Sequence, residues 1–438
     1  MTKEDLKGQV LAAIDKTREE IMAVGEDILR HPELGFKEER TTKVVADRLR
    51  ELGLEVREGL AITGAAGVLD TGRRGPNVCV IAELDSVLCP GHPYADPVTG
   101  AAHACGHNAQ VASVIGVAIS LVLSGAKNYL SGRITFLGVP AEEYVEIEWR
   151  QALRKKGTIR FLGGKQELIA RGFFDDVDMA MMVHLAGLSG DKVVSIGESS
   201  NGFIGKLVRY RGKEAHAGAA PHMGVNALNA AILGLIGVNL QRETWKEEDH
   251  VRVHPIITKG GDIVNVVPAD VRIESYVRAS SIEAMIDANS KVNRAFLAGA
   301  MAIGAGVTIE DLPGYLPRIP APALMEVFRA NAEELVGSSR VSDGGHSAGS
   351  SDIGDLSHIM PTIHPSVGGA KGSAHSEEFL VDDPEMAYVL PARLLATTVI
   401  DLLWDDASRA RRIIEGFRPA LTREEYLSTW EKILSRTR

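Results

Sequence analysis

The sequence predicts an α/β protein: a larger domain with a mostly parallel sheet flanked by helices, carrying a smaller inserted α+β unit. Three observations predict it. Strand-like apolar runs at 77–83 and 133–139 bracket a small-residue helix at about 107–124, a βαβ rhythm that implies a parallel sheet covered by helices. From about residue 195 the texture changes to alternating strands, at 205–211 and 269–278, around an alanine-rich helix at about 224–241. At 438 residues the chain is also longer than one compact core normally supports. The expected ranges are 1–194 and 309–438 for the larger domain and 195–308 for the inserted one.

Residues 4–54 carry apolar positions at helical spacing, interrupted by His31-Pro32-Glu33-Leu34-Gly35, and read as two helices joined by a turn. The run at 77–83 contains Cys79 and reads as a buried strand. A further strand candidate at 179–183 leads straight into His184. After about 310, helix and Gly/Ser-rich loop return, and a helix at 384–404 closes the larger domain. No repeat or low-complexity tract interrupts this order.

Composition narrows the function. Apolar residues make up 45% of the chain and charged residues 24%, enough for a buried core. A formal charge of −10 argues against a nucleic-acid or anionic-membrane surface, because both need clustered positive charge, and favours a small-molecule substrate. Residues 2–30 lack the apolar core of a signal peptide, and no stretch of about 18 apolar residues is expected to span a membrane. The expected location is therefore the cytoplasm. Cysteines at 79, 89 and 105 imply no disulfide framework.

The chemistry concentrates around Cys105. In His103-Ala104-Cys105-Gly106-His107-Asn108 a thiolate and an imidazole two residues apart can face one ion if Gly106 makes a tight turn, although a surface turn with an incidental histidine has the same pattern. Pro140-Ala141-Glu142-Glu143 follows an apolar strand, where α/β folds gather their active sites. His184 stands at a strand end and His375 in a glycine-rich loop. Either alone reads more readily as a core or surface histidine than as a ligand.

These segments match a known pattern. His31-Pro-Glu-Leu-Gly-Phe, Ala82-Glu-Leu-Asp85, the 103–108 hexapeptide, Gly138 to Glu143, Phe174 to His184, Ala215 to Gly224, Gly260 to Pro268 and Gly369 to His375 occur in this order. On them the chain resembles the M20 metallopeptidase and amidohydrolase family, in particular its aminobenzoyl-glutamate, hippurate-type and auxin-conjugate hydrolases. The resemblance implies one or two divalent ions, manganese or zinc, held by Cys105, His107, Glu143, His184 and His375. It implies Glu142 as the general base acting on a metal-bound water, His216 as an oxyanion stabiliser, and Asn265 and Arg278 as residues that hold a substrate carboxylate. It also implies that 1–194 and 309–438 form the metal-binding catalytic domain and that 195–308 is an inserted α+β lid, or dimerisation, domain through which a homodimer or higher homo-oligomer forms. For the three lid residues the plain alternatives are a strand-end histidine, a turn asparagine and a surface arginine.

The chain departs from the family at Asn108, where many relatives carry Asp, and in two insertions, 88–101 and 144–164. The second carries Tyr144, Trp149 and several basic residues; it reads equally as a wall for a small aromatic acid or as a charged surface helix. The expected activity is hydrolysis of a C–N bond in a small carboxylate-bearing substrate such as an N-acyl or N-aroyl amino acid. The alternative is hydrolytic deamination of an activated aromatic amine, since the family includes a 5-nitroanthranilate aminohydrolase. A non-catalytic binding protein is the remaining alternative, against which the full ligand set and Glu142 count.

Overall fold

The computed structural model of the chain describes residues 1–188, 190–197 and 199–435; residues 189, 198 and 436–438 of the expected domain ranges lie outside them. The chain divides into two compact units. One comprises Met1–Ser199, Ile319–Gly345 and Asp355–Arg423, the other Ser200–Arg318, His346–Gly354 and Glu424–Arg438. The boundary expected at 308 falls inside the strand Gly306–Pro313, whose ladder with Gly202–Arg211 keeps it in the second unit.

The first unit is built on a six-stranded sheet in the order Glu55–Leu60, Gly64–Asp70, Arg133–Val139, Asn77–Glu83, Met179–Met181, Thr362–Ile363. The last four strands run parallel, and Asn77–Glu83 at their centre is buried along its whole length, which explains its unbroken apolar run. The first two strands form an antiparallel edge. Their residues gave no strand signal: Glu55–Leu60 is mostly exposed and polar, and Gly64–Asp70 is filled with small residues. The strand expected at 179–183 ends at Met181, and His184 opens a separate short strand.

Helix Lys3–Leu29 starts at a capping box between Thr2 and Asp5 and buries Leu6, Val10, Ile14, Ile21, Val24 and Ile28. It packs on His107–Leu123, itself buried from His107 through Leu121. Small residues on the latter permit the close approach: a Cβ on Gly116 would lie 2.9 Å from Ile21 and 3.0 Å from Ala392. The closing stretch Glu385–Leu403 is, contrary to the sequence expectation, long and apolar enough to cross a membrane. It lies in the core instead, with 83% of its apolar window buried.

The second unit is a four-stranded antiparallel sheet in the order Arg252–Lys259, Asp270–Ala279, Gly202–Arg211, Gly306–Pro313, with helices Ala227–Leu240 and Ile282–Ile303 packed together on it. Strand Asp270–Ala279 alternates strictly, burying Val271, Ile273, Ser275, Val277 and Ala279. The side chains of Asn226 and Ser281 cap the two helices. Beneath Ile282–Ile303 a buried ion pair joins Lys206 to Asp311.

Candidate metal centre

All four parallel strands end on one site. Asn77–Glu83 ends in Glu83 and is followed by Asp85; Arg133–Val139 is followed by Glu142 and Glu143; His184 and His364 follow the other two. The carboxyl ends of adjacent parallel strands are where this architecture opens a crevice. Gly106 then sets the turn that brings Cys105 beside His107. Its φ is +84°, and a Cβ there would sit 2.9 Å from Leu185 Cβ, so glycine alone fits. The His375 loop is tied to the same turn, the His375 N–H donating to Ala104 O at 2.7 Å.

The five residues singled out around Cys105 come together. Ligand atoms of Cys105, His107 and His184 lie within 4.8 Å of one another, as do those of Cys105, Glu143 and His375. The Cys105 thiol belongs to both groups. Its Sγ is 3.4 Å from His184 Nε2, and His375 Nε2 is 3.1 Å from Glu143 Oε1. Glu142 Oε2 stands 3.9 Å from His107 Nε2 and joins a third group with Glu83. Cys105, His107, Glu142 and Glu143 are buried, whereas the His375 side chain is 54% exposed and marks the side from which solvent enters.

The histidines are oriented by carbonyls. His107 Nδ1 donates to Asp85 O at 2.9 Å and His184 Nδ1 to Leu185 O at 2.8 Å, which leaves Nε2 of each ring turned to the cluster. His107 Nε2 is buried with no hydrogen-bond partner, although Glu83 Oε2 is 3.0 Å away, and Glu143 Oε1 is likewise without one. Clustered lone pairs of this kind repel one another unless a cation lies between them. Thiolate, imidazole and carboxylate donors on one point therefore fit a divalent transition metal.

The charges of the cluster point the same way. Burial and Glu143 push the Cys105 thiol up, but His184 and His107 together bring it down to about 6, so the thiolate prevails at neutral pH. Burial lowers the His107 imidazole, yet Glu83 and Cys105 outweigh it and raise it well above its usual range. His375, beside Cys105 and Glu143, is raised to about 11. A bound cation would take over the role that these protons play.

Several residues of the site carried no assignment from sequence. Glu83 accepts from Lys165 Nζ at 2.5 Å and from Gln110 Nε2 at 2.8 Å, all three buried, and Asp85 Oδ2 accepts the Glu143 N–H at 2.8 Å. His364 packs edge-on to His184 at 5.4 Å. Glu38, buried among Thr63, Ala141 and the nearby Asp85, is raised to about 8 by burial and by Asp85. Glu83 and Asp85 were visible as a motif at a strand end; Lys165 and Glu38 lie far from it in sequence and only the fold brings them in.

His103 is 2% exposed, and neither ring nitrogen has a hydrogen-bond partner. Burial, with His107 and His92 adding to it, lowers this imidazole to about 3. The folded state thus resists a proton that the unfolded chain takes up near pH 6.5. His103 contributes stability that is complete above about pH 6.5 and is lost as pH falls toward 3, at about 1.4 kcal/mol per pH unit for one proton. Denaturation of the chelator-treated protein between about pH 4 and 8 should show His103→Asn with a flatter acid limb than the parent. Parallel limbs would assign the acid loss to other groups.

The second unit brings two of the three expected lid residues together. His216 Nδ1 accepts the Ala219 and Gly218 N–H groups at 3.0 and 3.2 Å, and the Asn265 side-chain nitrogen Nδ2 lies 3.3 Å from His216 Nε2. Arg278 lies elsewhere on the sheet, donating to Ser350 Oγ at 2.8 Å and stacking over Phe203 and Tyr276.

Comparison with known proteins identifies the family. Residues 79–398 match the model of peptidase family M20/M25/M40. The Xaa-Arg dipeptidase of Mus musculus is 28% identical over 97% of this chain and 95% of its own. An IAA-amino acid hydrolase of Arabidopsis thaliana is 24% identical over 82% of this chain and 81% of its own. Among solved structures, the aminobenzoyl-glutamate utilization protein of Klebsiella pneumoniae superposes with a TM-score of 0.69 at 20% identity, covering 90% of this chain and 99% of that one. YXEP of Bacillus subtilis, a dinuclear metal-binding M20 peptidase, superposes with 0.66 at 21%, covering 89% and 99%. With the family model spanning most of the chain and the fold shared across both units, the chain belongs to peptidase family M20/M25/M40 and is a hydrolase acting on C–N bonds.

Proposed function

We propose that the chain is a metal-dependent amidohydrolase that releases a free amino acid from a small N-acylated, N-aroylated or dipeptide substrate. The observation that carries this reading is one thiol, Cys105, shared by two groups of metal-capable donors with the carboxylate of Glu142 beside them. Cys105, His107, Glu143, His184 and His375 would hold a pair of divalent ions, manganese or zinc. Such ions acidify water and polarise a carbonyl when bound.

The chain's own residues do the rest. Glu142 takes the proton from the attacking water and delivers it to the leaving nitrogen, a role that needs a carboxylate next to the ligands. Glu143 is held by Asp85 through its backbone N–H, so the two acids keep separate tasks. In the smaller unit, His216 would offer its imidazole to an oxyanion, Asn265 adds an amide next to it, and Arg278 offers a guanidinium to a carboxylate. The larger unit is the catalytic domain and the smaller the lid.

The lid also supports a homodimer. Ile232, Leu233, Ile236 and Leu240 of Ala227–Leu240 and Ile256 and Ile257 of the edge strand Arg252–Lys259 are exposed, an apolar face and an open strand edge that a second copy would cover. Three free cysteines accord with the reducing cytoplasm.

The test is product analysis with the manganese- or zinc-loaded enzyme on dipeptides, N-aroyl amino acids and nitro-substituted aminobenzoates. A free amino acid from the first two panels is expected. Ammonia and a ring hydroxyl from the third alone would replace this reading with an aromatic deaminase.

A further inference from the structure

We infer that the inserted segment 144–164 braces the loop that carries Glu142 and Glu143, with Arg150 as its positioning residue. The inference rests on the proposed role of that loop in hydrolysis. The loop needs support: Ala141 holds φ at +54°, a conformation that an alanine adopts at a cost. Neighbouring groups fix it. The Ala141 N–H donates to Glu38 Oε1 at 2.8 Å, and Ala141 O accepts from the Gly164 N–H at 3.2 Å. Gly164 ends the insertion, so the segment leaves the loop after Glu143 and closes back on it.

Arg150, on the inserted helix Ile147–Lys155, is fully buried. Its Nη1 donates to Leu162 O at 3.0 Å, and its guanidinium lies over the Phe36 ring with 5.2 Å to the centroid. No carboxylate pairs with it among the described residues, and Nε and Nη2 have no hydrogen-bond partner. Burying a guanidinium this way is costly, and an apolar side chain of similar length would fill the space more cheaply. What the planar group achieves is a three-way contact. A Cβ on Gly35 would lie 2.3 Å from Arg150 Nη2 and 2.7 Å from Ala141 Cα, so the guanidinium, the 34–36 turn and the strained loop residue meet at one point.

The same inserted helix is fastened to the same turn at the surface. Lys37 pairs with Glu146 at 2.6 Å and lies over the Trp149 ring at 4.4 Å. Contacts at Glu146 and Trp149 thus hold the insertion against the turn, where Arg150 and Ala141 meet. Glu142 and Glu143 follow directly, and small displacements of catalytic groups cost up to about 100-fold in rate.

The test compares the metal-loaded parent with Arg150→Met, and with Ala152→Gly, which weakens the same helix from its exposed face. Three quantities are read: kcat and KM on the substrate found above, metal per subunit, and hydrogen exchange of the 139–146 peptide. Arg150→Met is expected to lower kcat about 10- to 100-fold with KM and metal content near the parent's. It should also speed exchange in 139–146 while leaving 107–123 protected, and Ala152→Gly should do neither. Equal kcat and equal exchange in Arg150→Met would overturn the brace, and the same losses in Ala152→Gly would overturn Arg150 as its positioning residue. If Arg150→Met does not fold, Arg150→Lys, which loses the planar fork, reads the same quantities. The exchange readout needs no substrate, so it decides the brace even if the proposed amide chemistry fails.

Discussion

Glu142→Gln should retain the parent's metal content and lose turnover by about 10²- to 10⁴-fold, the range a positioned general base contributes. The two adjacent acids make this a sharp test. Glu143 shares a donor group with Cys105 and His375, and its backbone is anchored by Asp85. Glu142 shares no group with Cys105; it stands 3.9 Å from His107 Nε2, near the cluster but beyond hydrogen-bonding distance of that nitrogen. A glutamine there keeps size and polarity and removes only the ability to accept a proton. Metal analysis beside steady-state kinetics separates the outcomes. Near-normal turnover would remove Glu142 from proton transfer, and loss of metal would make it a ligand instead, a role that its grouping with Glu83 and His107 also allows.

The residues that sequence made legible are those whose chemistry is tied to a local backbone device. Cys105 and His107 sit on either side of a glycine that must turn; His184 follows a strand; His375 lies in a glycine-rich loop and itself adopts φ of +65°. Central strands were legible because burial on both faces forces apolar runs. What stayed hidden depends on distant partners. Lys165 looks like one more basic residue after a charged insertion, yet it is fully buried against Glu83. Arg150 looks like a solvated helix position, and nothing in its own neighbourhood of the chain announces the turn at Gly35 that it meets in the fold. The insertion that carries Arg150 was an open choice between a pocket wall and a charged surface helix. Its contacts make part of it a buried support and part of it, at Glu148 and Lys155, an exposed face.

Cys105 offers the second large effect, because its thiol belongs to both donor groups and cannot be removed from one without the other. Cys105→Ala should abolish both donor groups, whereas His375→Ala should impair only the group with Glu143 and leave Cys105, His107 and His184 intact. The expected ordering is metal content near zero for Cys105→Ala, an intermediate value for His375→Ala, and parent-like content for Glu142→Gln. Loss of an outer-shell partner alone weakens metal binding by about 10- to 100-fold, and loss of a shared ligand should exceed that. Thermal stability gives an independent reading. A ligand at about 100 times its Kd stabilises the folded state by about 2.7 kcal/mol, so added manganese or zinc should raise the parent's melting temperature and leave that of Cys105→Ala unmoved. Should Cys105→Ala keep the parent's metal content, the thiol would not bridge, and the two groups would hold their ions through imidazole and carboxylate alone. The buried, acidified thiol would then owe its place 3.4 Å from His184 Nε2 to a hydrogen-bonding contact with that imidazole.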